Sequence, residues 1–131
     1  MATDRDIVFV CLHGSAKSLI AEELSRGMAA ARGLALRFAS MGTEPDEDVP
    51  PHVVSGLSSD GIDVRGRHPR LATADLLRNA SLIVSFGPKL DAIAPPGAAL
   101  EYWDGLPNVS DGYEPARAAI RSRVEALLQR Y

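Results

Sequence analysis

The run Ile7-Val8-Phe9-Val10-Cys11 constrains this chain more than any other feature. A strand points successive side chains to opposite sides, so a half-solvated strand alternates apolar and polar residues. Consecutive apolar residues without alternation instead predict a short strand buried on both faces, which needs cover above and below. The segment "DIVFVC" (6–11) is read as that strand. From Ser18 the pattern turns helical: Leu19 or Ile20, Leu24 and Met28 share a face, with Glu22, Glu23 and Arg26 largely off it. Gly33 is a suitable stop.

The same order recurs along the chain. "LALRFAS" (34–40) alternates Leu34, Leu36 and Phe38 with Ala35, Arg37 and Ala39, which predicts a second strand with one more solvated face. "EPDEDVPP" (44–51) is a loop, and a short helix is expected from Pro51 to Ser59, ending at Gly61. "GRHPR" is another loop, and Thr73 is placed to cap a helix over Ala74–Asn79. "LIVSF" (82–86) predicts a third, buried strand and "ALEYW" (99–103) a fourth. After the long loop "DGLPNVSDGYEP", Pro115 opens a last helix with Ala116, Ile120, Val124, Leu127 and Leu128 on its inner face. Strands alternating with helices predict an α/β, three-layer fold, a small four-stranded parallel sheet with helices on both faces. With 131 residues and no repeat or linker, one domain over 1–131 is expected. In such sheets ligands bind beyond the carboxyl ends of the strands, where Cys11 and Asp104 both fall.

Composition narrows the partners. The chain carries 14 Lys and Arg against 17 Asp and Glu, a net charge of −3, and no basic stripe, which argues against nucleic acid. No apolar run approaches the roughly 18 residues of a membrane helix, and "MATDRDIVFV" lacks the pattern of a signal peptide. The single cysteine cannot form an internal disulfide. A cytoplasmic protein without a membrane partner is the expectation.

The segment "CLHGSAKS" (11–18) joins a buried strand to a helix, so its backbone N–H groups and the helix N-terminus converge on one point that suits an oxyanion. It is not the nucleotide loop G-x-x-x-x-G-K-[ST], because Cys11 and Ala16 stand where the glycines belong. No acidic residue closes "LIVSF" to hold magnesium, and no metal site is expected. A thiol at a helix N-terminus beside a lysine has its thiolate favoured. Cys11 is therefore the candidate nucleophile, the amides of Leu12, His13, Gly14, Ser15, Ala16 and Lys17 the anion cradle, Lys17 the countercharge, and Ser18 a donor to the sulfur. The bland alternative is a small core residue ending a strand, with Lys17 in solvent.

These residues resemble a family. Cys11-x5-Lys17-Ser18 after a strand is similar to the C-x5-R-[ST] loop of the low-molecular-weight protein tyrosine phosphatases and the related thioredoxin-type arsenate reductases. "AEELSR", "MGTEPDEDVPPHVVSGLSSDGIDV", "LIVSFG" and "YWDGLPNVSDGY" extend the likeness over nearly the whole chain, the "GTEP" and "GID" stretches looking like the reductase branch. The resemblance implies a four-stranded parallel sheet and hydrolysis of a phosphomonoester through a phosphocysteine, with an aspartate as general acid. Three departures stand out. The family's arginine is Lys17, which supplies a point charge in place of a planar fork. The family's Gly-Asn becomes His13-Gly14, where Gly14 can take the left-handed conformation and His13 inherits no role. The acid is ambiguous: alignment on Trp103 selects Asp104, alignment on Pro107 selects Asn108, and Asp111 is a third choice.

The expected function is phosphomonoester hydrolysis on Cys11, with phosphate, arsenate or a small phosphomonoester as guest and a phosphoprotein as a further candidate. The loop "TEPDEDVPP" offers no aromatic wall, while Tyr102, Trp103 and Tyr113 are candidates for the other side. With one cysteine, an internal thiol cascade is excluded, so arsenate reduction needs an external thiol such as glutathione or mycothiol. Two other readings are a phosphate or phosphoprotein binder without turnover, and a phosphoryl carrier like the B components of sugar phosphotransferase systems, whose C-x-x-G-x-x-[TS]-S loop is also similar. No bound cofactor is expected.

Overall fold

The computed structural model describes residues 5–131. Its centre is the strand that the apolar run predicts. β1 (Asp6–Cys11) is buried from Ile7 onward and pairs in parallel on both edges, with β2 (Arg37–Gly42) on one side and β3 (Leu82–Ser85) on the other. β4 (Ala99–Tyr102) pairs in parallel with β3, giving the order β2-β1-β3-β4. The chain leaves β1 toward one edge and returns from β2 to the opposite side. The order therefore reverses between β1 and β3, the place where open α/β sheets bind ligands.

Two apolar clusters cover the sheet. Ile7, Phe9, Phe38 and Val84 face one layer, with Leu19, Ile20 and Leu24 of α1 (Lys17–Ala31), Val53 and Leu57 of α2 (Pro51–Ser59), and Ile120, Val124 and Leu127 of α4 (Tyr113–Leu128). Val8, Val10, Met41 and Ile83 face the other, covered by Leu77 of α3 (Ala74–Leu77), Ala72 and Leu90. That second layer is thin, one turn of helix and irregular chain. The inner face expected for the last helix, Ala116, Ile120, Val124, Leu127 and Leu128, is buried throughout.

Boundaries differ where capping and pairing outweigh the pattern. The second strand starts at Arg37, not Leu34, and runs on to Gly42. Leu34 instead closes the end of α1: its amide donates to the Ala29 carbonyl at 2.9 Å across Gly33, whose φ is +68°. This is the left-handed helix stop with a hydrophobic residue behind it. At the far end Met41 and Gly42 stay in the strand because they pair with Val10 and Cys11. α3 stops at Leu77 rather than Asn79, although Thr73 caps it as expected, accepting from the Leu76 amide at 3.1 Å. α4 begins two residues before Pro115.

Candidate active site

Because all four strands are parallel, the loops that follow them gather at one edge of the sheet. Cys11 ends β1 there, 7% exposed. The loop 12–16 turns directly into α1, which starts at Lys17 with no side-chain cap and no acidic residue in its first turn. No acidic residue of the helix's own first turn offsets its positive end beside the sulfur.

Two hydrogen bonds define the thiol. The Gly14 amide donates to Cys11 Sγ at 3.2 Å, and Ser18 Oγ lies 2.9 Å from the same atom. Once the sulfur is ionised it can only accept, so the Ser18 hydroxyl is then the donor. The turn around sulfur is held open from behind. Amides of Thr43, Glu44 and Asp46 donate to the carbonyls of Cys11, Leu12 and His13 at 3.2, 2.7 and 3.1 Å. Those carbonyls are thus drawn outward. Among the described residues the amides of Leu12, His13, Ser15 and Ala16 have no protein acceptor. Leu12 and His13 are exposed while Ser15 is buried and Ala16 half-buried, and a ring of unpaired N–H groups at the mouth of a cleft suits an oxyanion. Gly14 sits at φ +65°, and a Cβ on it would come within 2.7 Å of the Gly42 nitrogen. Glycine is required there by both conformation and space.

The cleft above Cys11 has a volume of about 370 Å³. Its floor is Cys11 with Leu12, His13, Ser15, Ala16 and Lys17. Asp46, Pro50 and His52 form one wall, and Phe86, Asn108, Val109 and Ser110 the other. The sequence-predicted cradle and Cys11 are thus brought together, with Ser18 beneath the sulfur. Lys17 lines the cleft, and its Nζ donates to the Leu106 carbonyl at 3.3 Å, tethering the 103–112 loop.

Asp104 is not brought in. It lies in a separate depression with Gly87, Lys89, Asp91 and Tyr102, while the Arg123 guanidinium reaches its backbone carbonyl. The reason is local. Trp103 is 5% exposed, packed against Phe9 and Phe86, and Asp104 follows it outward at the end of β4. The loop then turns back, so alignment on Pro107 gives the true neighbour of the cleft: Asn108, which carries no titratable proton. Asp111 stands in a 3₁₀ turn (Val109–Asp111) and is exposed. The other aromatic candidates are also engaged elsewhere. Tyr102 accepts the Leu90 amide, and Tyr113 donates to Asp60, with burial pushing its phenol well above the usual range.

Asp46, His52 and Phe86 were not singled out from sequence. The signal for them is topological: each follows β2 or β3 closely, and a parallel sheet delivers those loops to the end where Cys11 sits.

Asp46 is the one carboxylate among the described residues that lines the cleft. It accepts the Ser15 hydroxyl at 2.7 Å and stands 3.5 Å from His13 Nδ1, which also lies 3.0 Å from the Glu44 carbonyl. No group of three or more His, Cys, Asp or Glu among the described residues has metal-site geometry, and no helix there is long and apolar enough to cross a membrane.

Residues 6–95 match the family model of the low molecular weight phosphotyrosine protein phosphatases. No curated protein matches the chain in sequence. Among solved structures, the chain is similar to a low molecular weight protein tyrosine phosphatase from T. tengcongensis, with a TM-score of 0.86 at 16% identity over 97% of this chain and 99% of the other. It is similar to an arsenate reductase from Archaeoglobus fulgidus, with a TM-score of 0.75 at 27% identity over 94% and 98%. A thioredoxin-dependent arsenate reductase from Corynebacterium glutamicum matches with a TM-score of 0.75 at 22% identity. There the match covers 95% of this chain and only 60% of that longer one.

Proposed function

We propose that this chain, which belongs to the low molecular weight phosphotyrosine protein phosphatase family, hydrolyses small phosphomonoesters through Cys11. The observation that carries the reading is the environment of one sulfur atom. Cys11 Sγ has the Gly14 amide at 3.2 Å and the Ser18 hydroxyl at 2.9 Å, on the floor of a cleft at the end of β1. The thiolate attacks phosphorus, an S–P bond forms as the bond to the leaving oxygen breaks, and water then attacks phosphorus and releases phosphate and the thiolate. The loop amides and the start of α1 hold the three non-bridging oxygens, and Lys17 supplies a positive charge at the rim. Ser18 donates to the sulfur as it leaves. Asp104 has no part in this reading, because it lies outside the cleft. The reaction uses no metal and no bound cofactor.

Apolar cover from exposed Leu12 and from Pro50, Phe86 and Val109 fits the carbon portion of a modest ester. A small aryl or alkyl phosphate is favoured over a phosphoprotein, since one flat aromatic face is available and Tyr102, Trp103 and Tyr113 are turned to other tasks. A reducing cytoplasm is the setting that keeps the only thiol free.

A second reading is favoured by the likeness to the Archaeoglobus arsenate reductase. The same sulfur attacks arsenate, and an external thiol such as glutathione or mycothiol completes the reduction, because the chain has no second cysteine. The test is turnover of p-nitrophenyl phosphate, abolished in Cys11→Ser, with phosphate or vanadate protecting Cys11 from iodoacetate. Arsenate-dependent oxidation of the external thiol without ester hydrolysis selects the second reading. Phosphate binding with neither activity makes the protein a binder.

A further inference from the structure

The hydrolase reading leaves one gap, since neither Asp104 nor Asn108 can protonate the leaving oxygen. We propose that His13 is that proton donor, oriented by Asp46, which Ser15 in turn anchors.

The geometry fixes which nitrogen does what. His13 Nδ1 lies 3.0 Å from the Glu44 carbonyl and 3.5 Å from Asp46 Oδ1. Both partners are pure acceptors, so Nδ1 must carry a proton, and Nε2 is the atom that exchanges one. Asp46 is itself held: its other oxygen accepts from Ser15 Oγ at 2.7 Å, and Ser15 is 1% exposed. The backbone adds a third tie, from the Asp46 amide to the His13 carbonyl at 3.1 Å. A hydroxyl, a carboxylate and an imidazole are thereby linked within the cleft that holds the sulfur. A carboxylate on one ring nitrogen orients an imidazole for proton transfer at the other. His52 also lines the cleft, yet no hydrogen bond or ion pair from a described residue holds it. The charged or titratable groups that line the cleft with His13 are Asp46 from the β2–α2 loop, Cys11 from the end of β1, Lys17 from the start of α1 and His52 from α2; from the 103–112 loop Asn108, Val109 and Ser110 line it, and none of the three titrates.

The steps balance. In the first, imidazolium Nε2–H gives its proton to the leaving oxygen as the P–O bond breaks and S–P forms. In the second, neutral Nε2 takes a proton from the attacking water as S–P breaks, and the thiolate and imidazolium are restored.

The proposal rests on the hydrolase reading, and leaving-group dependence separates the two. Phenyl phosphate needs a proton at its leaving oxygen; 2,4-dinitrophenyl phosphate does not. His13→Gln is expected to lose at least about 100-fold in kcat on phenyl phosphate and less than about fivefold on the dinitrophenyl ester. Cys11 alkylation by iodoacetamide should stay at the wild-type rate, showing an intact turn. Asp46→Asn, as a positioning change, should reproduce the selective loss on phenyl phosphate in smaller measure and leave kcat on the dinitrophenyl ester within about fivefold of wild type. Equal losses on both esters would assign His13 to the anion cradle and overturn the proposal, as would no loss on either. If His52→Gln shows the selective loss and His13→Gln does not, the donor is His52 and the assignment is wrong. A wild-type protein that hydrolyses neither ester brings down the hydrolase reading and the donor with it.

Discussion

Gly42→Ala tests whether the site depends on the turn being held in place from outside. Gly42 ends β2 and touches no candidate substrate. A Cβ there would lie 2.6 Å from the Gly14 nitrogen, 2.6 Å from the His13 carbonyl carbon and 2.9 Å from the Leu12 oxygen. All three are backbone, so no side chain can swing aside. Ordinary contact begins near 3.4 Å, which asks for a retreat of 3.4 − 2.6 = 0.8 Å between β2 and the turn. Gly42 has no positive φ, so the cost is crowding alone, about 1–3 kcal/mol. In a domain of this size that lowers Tm by roughly 3–10 °C. The functional effect should be larger. A misplacement of about 1 Å costs about 100-fold in rate, and the loss of one amide donor to a developing oxyanion costs a similar factor. Gly42→Ala is therefore expected to keep a cooperative urea transition at reduced midpoint and to lose about 100-fold in kcat/KM for p-nitrophenyl phosphate. Activity within threefold of wild type, in a protein destabilised by less than about 0.5 kcal/mol, would refute the claim that the β2–turn contact sets the cradle.

Three further outcomes follow from the same geometry. Asp104→Asn should change kcat/KM by less than twofold, because the carboxylate faces a different depression; a tenfold loss, measured across pH 5–8, would return the acid to this position. Lys17→Arg should raise kcat/KM for the same ester, since a planar fork can hold the Leu106 carbonyl and still present N–H groups to the anion; unchanged kinetics would place the Lys17 charge outside the reaction. Arg130, hydrogen-bonded to Glu101, holds that carboxyl below its usual value against an opposing desolvation, with a smaller contribution from Trp103. A carboxyl depressed on folding stabilises the native state above its unfolded pKa of about 4.3, and that stability is lost as pH falls through the folded value. Arg130 is exposed and Glu101 half-buried, so Glu101→Gln should cost no more than about 0.5 kcal/mol at pH 7 and progressively less as the pH falls below the usual carboxyl range, read from urea midpoints.

The fold was legible because β1 and β3 are buried on both faces and carry unbroken apolar runs, and because α4 shows its five inward residues at helical spacing. β2 was misplaced by three residues because two signals overlap there. Leu34 and Leu36 continue the alternation of the strand, yet Leu34 belongs to the stop of α1, and nothing local to 34–40 reveals that its amide is taken by Ala29. That the turn after Cys11 leads straight into a helix start at the carboxyl edge of the sheet was legible from the switch of pattern at Ser18 alone. The proton source was not. Choosing between Asp104 and Asn108 requires knowing that Trp103 is anchored between Phe9 and Phe86, which fixes the direction in which the next residue leaves the sheet. Asp46 escaped notice for another reason: a loop rich in Asp and Glu looks solvated in sequence, and only the pairing of β2 with β1 sets one of its carboxylates beside Ser15.

That redistribution has a physical logic. In the proposed reaction the groups that bind the anion are main-chain amides and a helix end, and their directions depend on the turn's conformation rather than on its side chains. Once Gly14 and Gly42 allow that turn, the charge at Lys17 can be a point or a fork without moving the cradle. The proton donor is still freer. It must reach the leaving oxygen, which projects away from the sulfur toward the mouth of the cleft. Every loop following a parallel strand arrives at that mouth, so the β1–α1 turn and the β2–α2 loop are as well placed to supply an acid as the 103–112 loop. On the proposed assignment, a chain with Asn108 on one wall and a linkage from Ser15 and His13 of the floor to Asp46 of the other wall meets the same two requirements, an anion site of fixed geometry and one exchangeable proton, from different strands of the same sheet edge.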